Sequence, residues 1–548
     1  MTPLTDLLGP RLPSEPTFDL AVEPWIAVTA PDGSAPRRAG LREVLRLAHE
    51  LRFDTGVYGP MHAHAMIRWT TAMAYVLHHH RPDPQAWKRI SAAAAPLPTA
   101  NTDELLDRLA GHLWLHHPTT PFMQDLTVLD HMASKAHTDP ARQLDDATHP
   151  YWTLLPDIPS KSNAAWFNRS EDLPAPGHTD IANHLLTNHY WSLPGNLAPN
   201  SGAGGKTSVG GPTGMTNNGR TYVHLDAGTV AATMAANLEA TIAAALPNRP
   251  TFFWEDPGGL FQHHDDPLWA YTASGVSVVL VPAPHDPAGH RVVRTPRPYS
   301  RTRSAKDSRD SQADVLKERM IAGDPHTLRT DSSTKGQTRS YPRLFATTPV
   351  GLARLFHSKI RDLAALHEPC LLRRHAQIAV SGQQRVVITQ VEGAGSSTGP
   401  LVKDAATIRV DPSMLELQSW QAARFIAYAN ALLRTKGAVG VQLSNALGRV
   451  AGTTRPDWVY DHAHEQITGV AEQVLEGCLI ACHAATSQEE LPNLFPEKDQ
   501  TDLRAAALAA FDQTAIRLGS GPRHTARTVE QCSRLGVALA KHLANPVA

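Results

Sequence analysis

The sequence has few cysteines, almost no net charge and no long hydrophobic run. Four cysteines among 548 residues are too few for a disulfide scaffold and are typical of a reducing compartment. The formal net charge is -1, so any binding to an anion must come from local clusters of basic residues. The longest apolar run, VSVVLVPAP, is too short to span a bilayer, and residues 1–13 lack the features of a secretory signal. We therefore expect a cytoplasmic protein with no membrane partner.

Composition and periodicity predict a folded protein of more than one domain. Hydrophobic residues make up 42% of the chain and charged residues 19%, as in proteins with a packed core. Alternating apolar and polar residues, followed by a Pro-Asp-Gly turn signal, predict a strand and hairpin in FDLAVEPWIAVTAPDG. SGVSVVLVPAP and HRVVRTP are interpreted as paired strands, and AQIAVSG and QRVVITQVEG as two strands with a tight turn between them. Helical spacing predicts helices over 41–80, 102–117 and 228–246. The stretch 134–214 is rich in Pro, Asn, Ser and Gly, which predicts loops.

The last quarter of the sequence differs from the rest. After a glycine-rich stretch at 393–400, which we interpret as a linker, apolar residues from about Pro412 onward recur only at helical spacing. Four such stripes indicate a helical bundle. The sequence therefore predicts an α+β protein, with a large mixed α/β domain over residues 1–400 followed by a four-helix bundle over residues 411–548.

Histidines and cysteines raise the question of a metal site. The chain has 29 histidines, some clustered in MHAH (61–64), HHH (78–80) and QHHDD (262–266). Such clusters would suit a metal-dependent nuclease or phosphohydrolase, but residues of helix ends and turns are the simpler interpretation. Cys478, Cys482 and His483 lack a second ligand pair, and two cysteines four apart on an apolar helix face are typical of a core. We expect neither a metal nor a cofactor.

Two segments have a composition suited to nucleic-acid contact. The first, APNSGAGGKTSVGGPTG (198–214), contains six glycines and Lys206. It is not a phosphate-binding P-loop, because Asn200 stands where that motif needs its first glycine and no predicted strand precedes it. The second has seven cations between Arg291 and Arg309, with Asp307 as its acidic residue. Such a run is usually a solvated surface, but here it also suits phosphate contact.

Several segments together resemble the CasA family, the large subunits of the type I-E CRISPR surveillance complex Cascade. They are FDLAVEPWIAV, HHPTTPFMQ (116–124), NAAWFN (163–168), the glycine segment, AVSGQQRVVI and the C-terminal helices. Order and spacing agree over nearly the whole chain, and PFMQ followed by the glycine segment is the most specific pair. The resemblance implies a protein that is not an enzyme. Such a protein recognises the protospacer-adjacent motif (PAM) in double-stranded DNA and opens the duplex for R-loop formation with the CRISPR RNA (crRNA).

The resemblance also implies roles for individual residues. A loop that approaches the minor groove matches Asn200, Ser201, Gly202, Ala203, Gly204 and Gly205, with Lys206 beside it as a phosphate partner. A wedge at the first target pair matches Gln383 and Gln384, and a loop that holds the crRNA 5′ handle matches Trp166, Phe167 and Asn168. The family's lysine finger falls on GHRVVRTPRP, which has no lysine; either Arg291 or Arg294 substitutes for it, or the finger corresponds to another segment. Arg297 and Arg301 continue the basic segment.

The implied partners are crRNA, target double-stranded DNA, the other Cascade subunits and a helicase-nuclease. The preferred PAM and the surface that recruits the helicase-nuclease do not follow from the sequence. The physics of the minor groove agrees with these roles, because a loop poor in side chains can bring its N–H groups close to base edges in a narrow groove. Two alternatives stay open: the metal-dependent hydrolase, and a structural subunit whose basic segment binds RNA without selecting a motif.

Overall fold

The structure is a computed structural model in which helices and small sheets are mixed. It describes residues 2–155, 175–192, 220–257, 263, 265–296, 385–394, 401–410, 419–451 and 467–543, with short gaps at 58, 81–82, 92–94, 132, 135–143, 146, 239, 468–469, 472, 476, 479, 495 and 519–521. The chain divides into two compact units, Met1–Arg329 with Glu368–Arg409 and Thr330–His367 with Val410–Ala548. Among the described residues, no helix combines the length and the apolar character needed to cross a membrane.

The first unit contains most of the secondary structure. Its described helices are α1 (Leu4–Leu8), α2 (Leu41–Arg46), α3 (Gly59–His80), α4 (Pro84–Ser91), α5 (Thr99–Leu109), α6 (His178–Trp191), α7 (Val230–Ala236), α8 (Ala240–Ala244) and α9 (Pro267–Thr272). The described strands are β1 (Thr2–Pro3), β2 (Thr17–Asp19), β3 (Ile26–Thr29), β4 (Arg37–Ala39), β5 (Arg52–Phe53), β6 (Trp114–His116), β7 (Ala133–Ser134), β8 (His149–Pro150), β9 (Arg220–Asp226), β10 (Val276–Pro282), β11 (His290–Pro296), β12 (Arg385–Ala394) and β13 (Leu401–Val410).

The strands form five small sheets in the described part of the chain. Their orders are β4–β3–β5, β10–β11–β8, β13–β12–β9, β2–β6 and β1–β7. β10 and β11 are antiparallel from Val276 opposite Pro296 to Pro282 opposite His290, which confirms the predicted pair. β3 and β4 form the predicted N-terminal hairpin. AQIAVSG, the predicted partner of β12, lies outside the described residues, and β12 has β9 and β13 as neighbours.

Three predicted helices are interrupted. The predicted helix 41–80 contains β5, which pairs with β3 in the N-terminal sheet. The predicted helix 102–117 ends at Leu109 and is followed by β6. The predicted helix 228–246 stops at Ala236, because the side chain of Asn237 hydrogen-bonds both the N–H and the carbonyl of Leu225 in β9, at 2.9 and 2.8 Å. The interpretation of 393–400 as a linker was also incomplete, since it connects two neighbouring strands of one sheet.

The core of the first unit surrounds α3, which is buried over most of its length. Residues Met61 to Leu77 are all buried. Trp69 of this helix meets Trp25 and Phe122 edge-to-face, with ring centroids 5.4 and 5.7 Å apart. A helix buried on all sides needs partners on all sides, and α6 packs on one of them.

The second unit is helical in its described residues. Its helices are α10 (Ser419–Ala451), α11 (Glu497–Leu518) and α12 (Pro522–Leu543), with further helical residues between 467 and 484. α10, α11 and α12 pack against one another, and the Tyr428 hydroxyl of α10 donates to the Asp499 carboxylate of α11. Cys478 and Cys482 are buried with their sulfurs 3.9 Å apart, which supports the interpretation of both as core residues. The complete four-helix arrangement remains a prediction.

Candidate nucleic-acid interface

One buried helix, α6, lies between two of the predicted nucleic-acid segments. The crRNA-handle residues Trp166, Phe167 and Asn168 precede it, and the glycine loop from Asn200 to Lys206 follows it; both segments lie outside the described residues. α6 itself lies inside the stretch 134–214, for which loops were predicted, and that prediction was wrong for these fourteen residues. The structure therefore describes the support to which both segments are attached.

A buried amide, Asn183, fixes the first half of α6. Its Nδ2 donates to the carbonyls of Trp25 at 3.1 Å and Thr179 at 2.8 Å, and its Oδ1 lies 2.6 Å from Nε2 of His62 in α3. Burial lowers the pKa of His62 to about 4, against a smaller opposing effect of the Asn183 hydrogen bond. The ring is therefore neutral at pH 7, with Nε2–H as the donor to Asn183.

The second half of α6 is held by bonds to backbone carbonyls elsewhere in the unit. Nδ2 of Asn188 donates to the carbonyl of Leu154 at 2.7 Å, and Nε2 of His189 lies 2.8 Å from the carbonyl of Thr272. Buried polar groups with specific partners restrict a helix to one position more strongly than apolar contacts do. Polar residues that look like loop residues in the sequence are thus the residues that position this helix.

The predicted DNA contacts flank one antiparallel ladder, formed by β9 and β12. The ladder runs from Arg220 opposite Val391 to Asp226 opposite Arg385. β9 begins at Arg220, fourteen residues after Lys206 of the predicted glycine loop, and the predicted wedge residues, Gln383 and Gln384, come directly before Arg385. Because the strands are antiparallel, the two predicted contacts attach at opposite ends of the ladder. Gln383 and Gln384 themselves lie outside the described residues.

An ion pair closes the Asp226 end of the ladder. Nη2 of Arg52 in β5 lies 2.7 Å from Oδ2 of Asp226, and the other carboxylate oxygen accepts a bond from the N–H of Gly228 at 3.1 Å. Burial favours the neutral acid, but the charge and hydrogen bond of Arg52 outweigh it, so the pKa of Asp226 is lowered. Asp226 is therefore a buried carboxylate that stays ionised.

Two of the four predicted basic contacts lie within the described residues, and both are enclosed. The side chain of Arg291 is 15% exposed and lies 3.1 Å from Asp286 and 3.3 Å from Asp145. Arg294 is buried, which lowers its pKa to about 10, and its Nε and Nη2 have no hydrogen-bond partner among the described residues. DNA contact by either side chain would require it to leave these surroundings. Arg297 and Arg301 lie outside the described residues.

The histidine and acid cluster around QHHDD is partly described. Asp266 accepts bonds from the N–H groups of Leu268 and Thr251, at 2.9 and 2.7 Å, so that it caps α9 and holds a neighbouring turn. His263 lies 3.1 Å from Asp256. Among the described residues, no group of three or more His, Cys, Asp and Glu side chains is arranged to hold a metal ion. The occupied carboxylate of Asp266 favours the turn interpretation over the ligand interpretation.

The PFMQ motif has a structural role that its sequence did not reveal. Nε2 of Gln124 donates to the carbonyl of Leu115 at 2.9 Å, and its Oε1 accepts from the N–H of Leu280 at 2.8 Å. One side-chain amide therefore connects β6 with β10. The preceding Met123 has φ 54°, a left-handed conformation that is uncommon for a bulky residue and that the surrounding contacts must hold in place.

Comparison with known structures identifies proteins that share this fold. The chain is similar to CRISPR-associated protein Cse1 from Acidimicrobium ferrooxidans (TM-score 0.56, 18% identity, covering 96% of this chain and 98% of that one). It is also similar to Thermobifida fusca Cse1 (TM-score 0.52, 16% identity, 99% and 100% covered). A chain of a CRISPR RNA-guided surveillance complex, pre-nicking, matches with TM-score 0.52 and 17% identity over 95% and 98% of the two chains. At these identities the similarity shows a shared fold.

The family assignment comes from the sequence itself. No match is found among curated proteins. The family model of CRISPR-associated protein Cse1, however, matches residues 19–518, which is most of the chain. This protein therefore belongs to the Cse1 family, as its resemblance to the CasA subunits predicted.

Proposed function

We propose that this chain is the large subunit of a Cascade surveillance complex, which recognises a PAM and opens the adjacent DNA duplex. The β9–β12 ladder supports the proposal: β9 begins at one end of it, fourteen residues after Lys206, and β12 begins at the other end, directly after Gln384. Membership of the Cse1 family supports the same role, as does the similarity of fold to a chain of a CRISPR RNA-guided surveillance complex.

The ladder gives the two DNA contacts separate points of attachment. β9 has seven residues, so its ends are about 20 Å apart. At one end, the glycine loop from Asn200 to Gly205 reads the minor groove through its backbone, and Lys206 contacts a phosphate. At the other end, Gln383 and Gln384 enter the duplex and hold the first pair open, which compensates for the unstacking of the bases. In this proposal the glycine loop captures the duplex, and Gln383 and Gln384 open it.

The remaining predicted residues bind RNA or DNA backbone. Trp166, Phe167 and Asn168 hold the crRNA 5′ handle, and Arg297 and Arg301 contact phosphates. In this role the chain catalyses no reaction; guide pairing reads the target sequence, and a helicase-nuclease recruited to the complex cuts the DNA. Replacement of both Trp166 and Phe167 by Ala should lower incorporation into the complex, as measured by size-exclusion chromatography, without changing the thermal unfolding of the free chain.

The proposal is tested by the assembled complex. The chain should co-purify with a short RNA and several partner subunits. It should bind duplexes that carry the flanking motif at least about ten-fold more tightly than duplexes without it, because each wrong base pair typically costs 1–3 kcal/mol. Equal affinity for the two duplexes would contradict PAM recognition. Cleavage of labelled DNA by the purified chain with Mg²⁺ or Mn²⁺ would instead support the metal-dependent nuclease.

A further inference from the structure

A groove of about 580 Å³ lies beside α2 in the first unit. Three stretches of the chain line it: the turn at Ala21 and Val22, five residues from Arg42 to His49, and Pro96 with Thr99, the first residue of α5. None of these residues is among those assigned to nucleic acid. The volume is within the range of about 300–1,000 Å³ that is typical of ligand-binding clefts. The groove is therefore a candidate site outside the predicted nucleic-acid interface.

The turn that carries Val22 is fixed by backbone contacts, although the Val22 side chain is 66% exposed. The N–H of Val22 donates to the carbonyl of Asp19 at 3.0 Å, and the N–H of Arg42 donates to the carbonyl of Ala21 at 2.9 Å. A Cβ on Gly40 would lie 2.4 Å from the carbonyl oxygen of Val22, so a residue with a side chain would not fit there. An apolar side chain is thus exposed to water in a preformed position, and a partner that covers it loses little conformational entropy.

Leu47 and Pro96 add to the apolar surface of the groove. Leu47 is half-buried and packs against the core of the unit, and Pro96 is exposed. An apolar side chain of a partner that entered the groove would cover part of Val22, Leu47 and Pro96. Covering them favours binding in proportion to the apolar area that is removed from water. The groove can therefore bind an apolar side chain of a partner.

Among the ionisable side chains that line the groove, Arg46 alone has no ion-pair partner within the described part of the chain. The others lie next to an acidic or basic partner, at 2.9 Å for Arg42 with Asp103, 2.7 Å for Glu43 with Arg37 and 3.2 Å for His49 with Glu50. Arg46 is exposed. Its guanidinium can therefore form charge-assisted hydrogen bonds with a carboxylate of another molecule.

The charges of the groove favour a protein partner over a nucleic acid. A nucleic-acid strand carries a phosphate at every nucleotide, and the carboxylates of Glu43 and Asp103, whose side chains are both 47% exposed, would oppose its binding. A single carboxylate opposite Arg46 meets one unpaired cation. We propose that the groove binds another protein subunit of the complex, which inserts an apolar side chain beside Val22 and Leu47 and places a carboxylate opposite Arg46. The proposal rests on the proposed function, since it requires a chain that is one subunit of several.

The test measures the affinity of the full chain for the remaining subunits and crRNA, assembled without it. Four chains are titrated: wild type, Arg46→Glu, Val22→Asp and the control Lys88→Glu, which reverses an exposed cation of α4 that does not line the groove. We expect the two groove variants to bind about ten-fold more weakly, because one opposes the partner's carboxylate and the other places a charge against its apolar side chain. Lys88→Glu should bind like wild type. All four should unfold at the same temperature, since the changed side chains are exposed.

A photoreactive phenylalanine analogue in place of Val22 identifies the partner in the assembled complex. We expect a cross-link to one protein subunit. A change of the nearest Asp or Glu in the cross-linked segment to Lys should then restore the affinity of Arg46→Glu. The same analogue in place of Val57, which is 47% exposed and does not line the groove, is the control and should not give this product.

The outcomes separate the groove from the proposed function. A cross-link to RNA or DNA, the absence of any cross-link from position 22, or wild-type affinity of either groove variant would overturn the inference and leave the proposed function intact. Failure of the wild-type chain to bind the remaining subunits would overturn both.

Discussion

The helix α6 and the segment that follows it differ in composition. Ten of the fourteen residues of α6 are buried, and its amides and His189 bond to groups of the same unit. The following segment, 193–219, has eight glycines among 27 residues. The proposed function thus separates positioning, in α6, from recognition, in the adjacent segments. Changes in α6 should lower stability, and changes in the adjacent segments should alter binding while stability is kept.

The largest expected effect is a loss of stability when a residue of α6 is replaced. Replacement of Asn183 by Leu removes three hydrogen bonds and leaves the carbonyl of Trp25 and Nε2 of His62 buried without this partner. We expect the free energy of unfolding of the first unit to fall by about 3 kcal/mol, measured by denaturant titration of the full chain. Thr179→Ala, which loses one long exposed bond of 3.3 Å, is the control and should change it by less than about 0.5 kcal/mol. Similar losses for both variants would show that the Asn183 bonds do not position the helix.

A smaller loss of stability is expected when the pH falls. The pKa of buried His62 is about 4 in the folded chain against 6.5 as its ordinary value, so the unfolded chain takes up a proton first as pH falls. Stability is therefore kept above pH 6.5 and lost between pH 6.5 and 4. His62 should account for a loss of about 2 kcal/mol between pH 7 and pH 5. The measurement compares the pH dependence of unfolding in wild type and His62→Gln, and parallel curves would contradict this assignment.

The wedge prediction concerns binding alone. Replacement of Gln383 and Gln384 by Ala should weaken binding to intact duplex by about ten-fold, because part of the unstacking cost is no longer compensated. DNA with mismatched pairs beside the motif should restore wild-type affinity. The free energy of unfolding should stay unchanged. Equal weakening on intact and mismatched DNA would contradict a role in strand separation.

Parts of the fold follow from the sequence because local pattern and burial agree there. β10 is an apolar run that is buried at six of its seven residues, and its pairing with β11 was predicted. α6 was missed because the residues that position it, such as Asn183 and Asn188, are polar residues that usually belong to loops. Their partners are up to 158 residues away in sequence, so no local pattern reveals them. The end of helix α7 at Ala236 was missed for the same reason, because it depends on the hydrogen bonds of Asn237 to Leu225.

The site residues were predicted in a different way. Glycine loop, wedge and handle residues were assigned through the resemblance to the Cse1 family, because composition shows only that a segment is rich in glycine or cations. The enclosure of Arg291 by Asp286 and Asp145 depends on tertiary contacts across up to 146 positions.

The most direct measurement of the central claim is a pair of titrations with the Gly204→Trp and Lys206→Ala variants in the assembled complex. Each is titrated with duplex with and without the flanking motif at two salt concentrations, and the unfolding of each free chain is recorded. We expect Gly204→Trp to lose motif preference, because the added side chain occupies the space that the groove edge needs, and to keep salt-sensitive binding. Lys206→Ala should weaken binding to both duplexes and lower the salt slope by about one. Both chains should unfold like wild type. If Gly204→Trp still distinguishes the two duplexes, the glycine loop does not read the motif, and the proposed mode of PAM recognition is wrong.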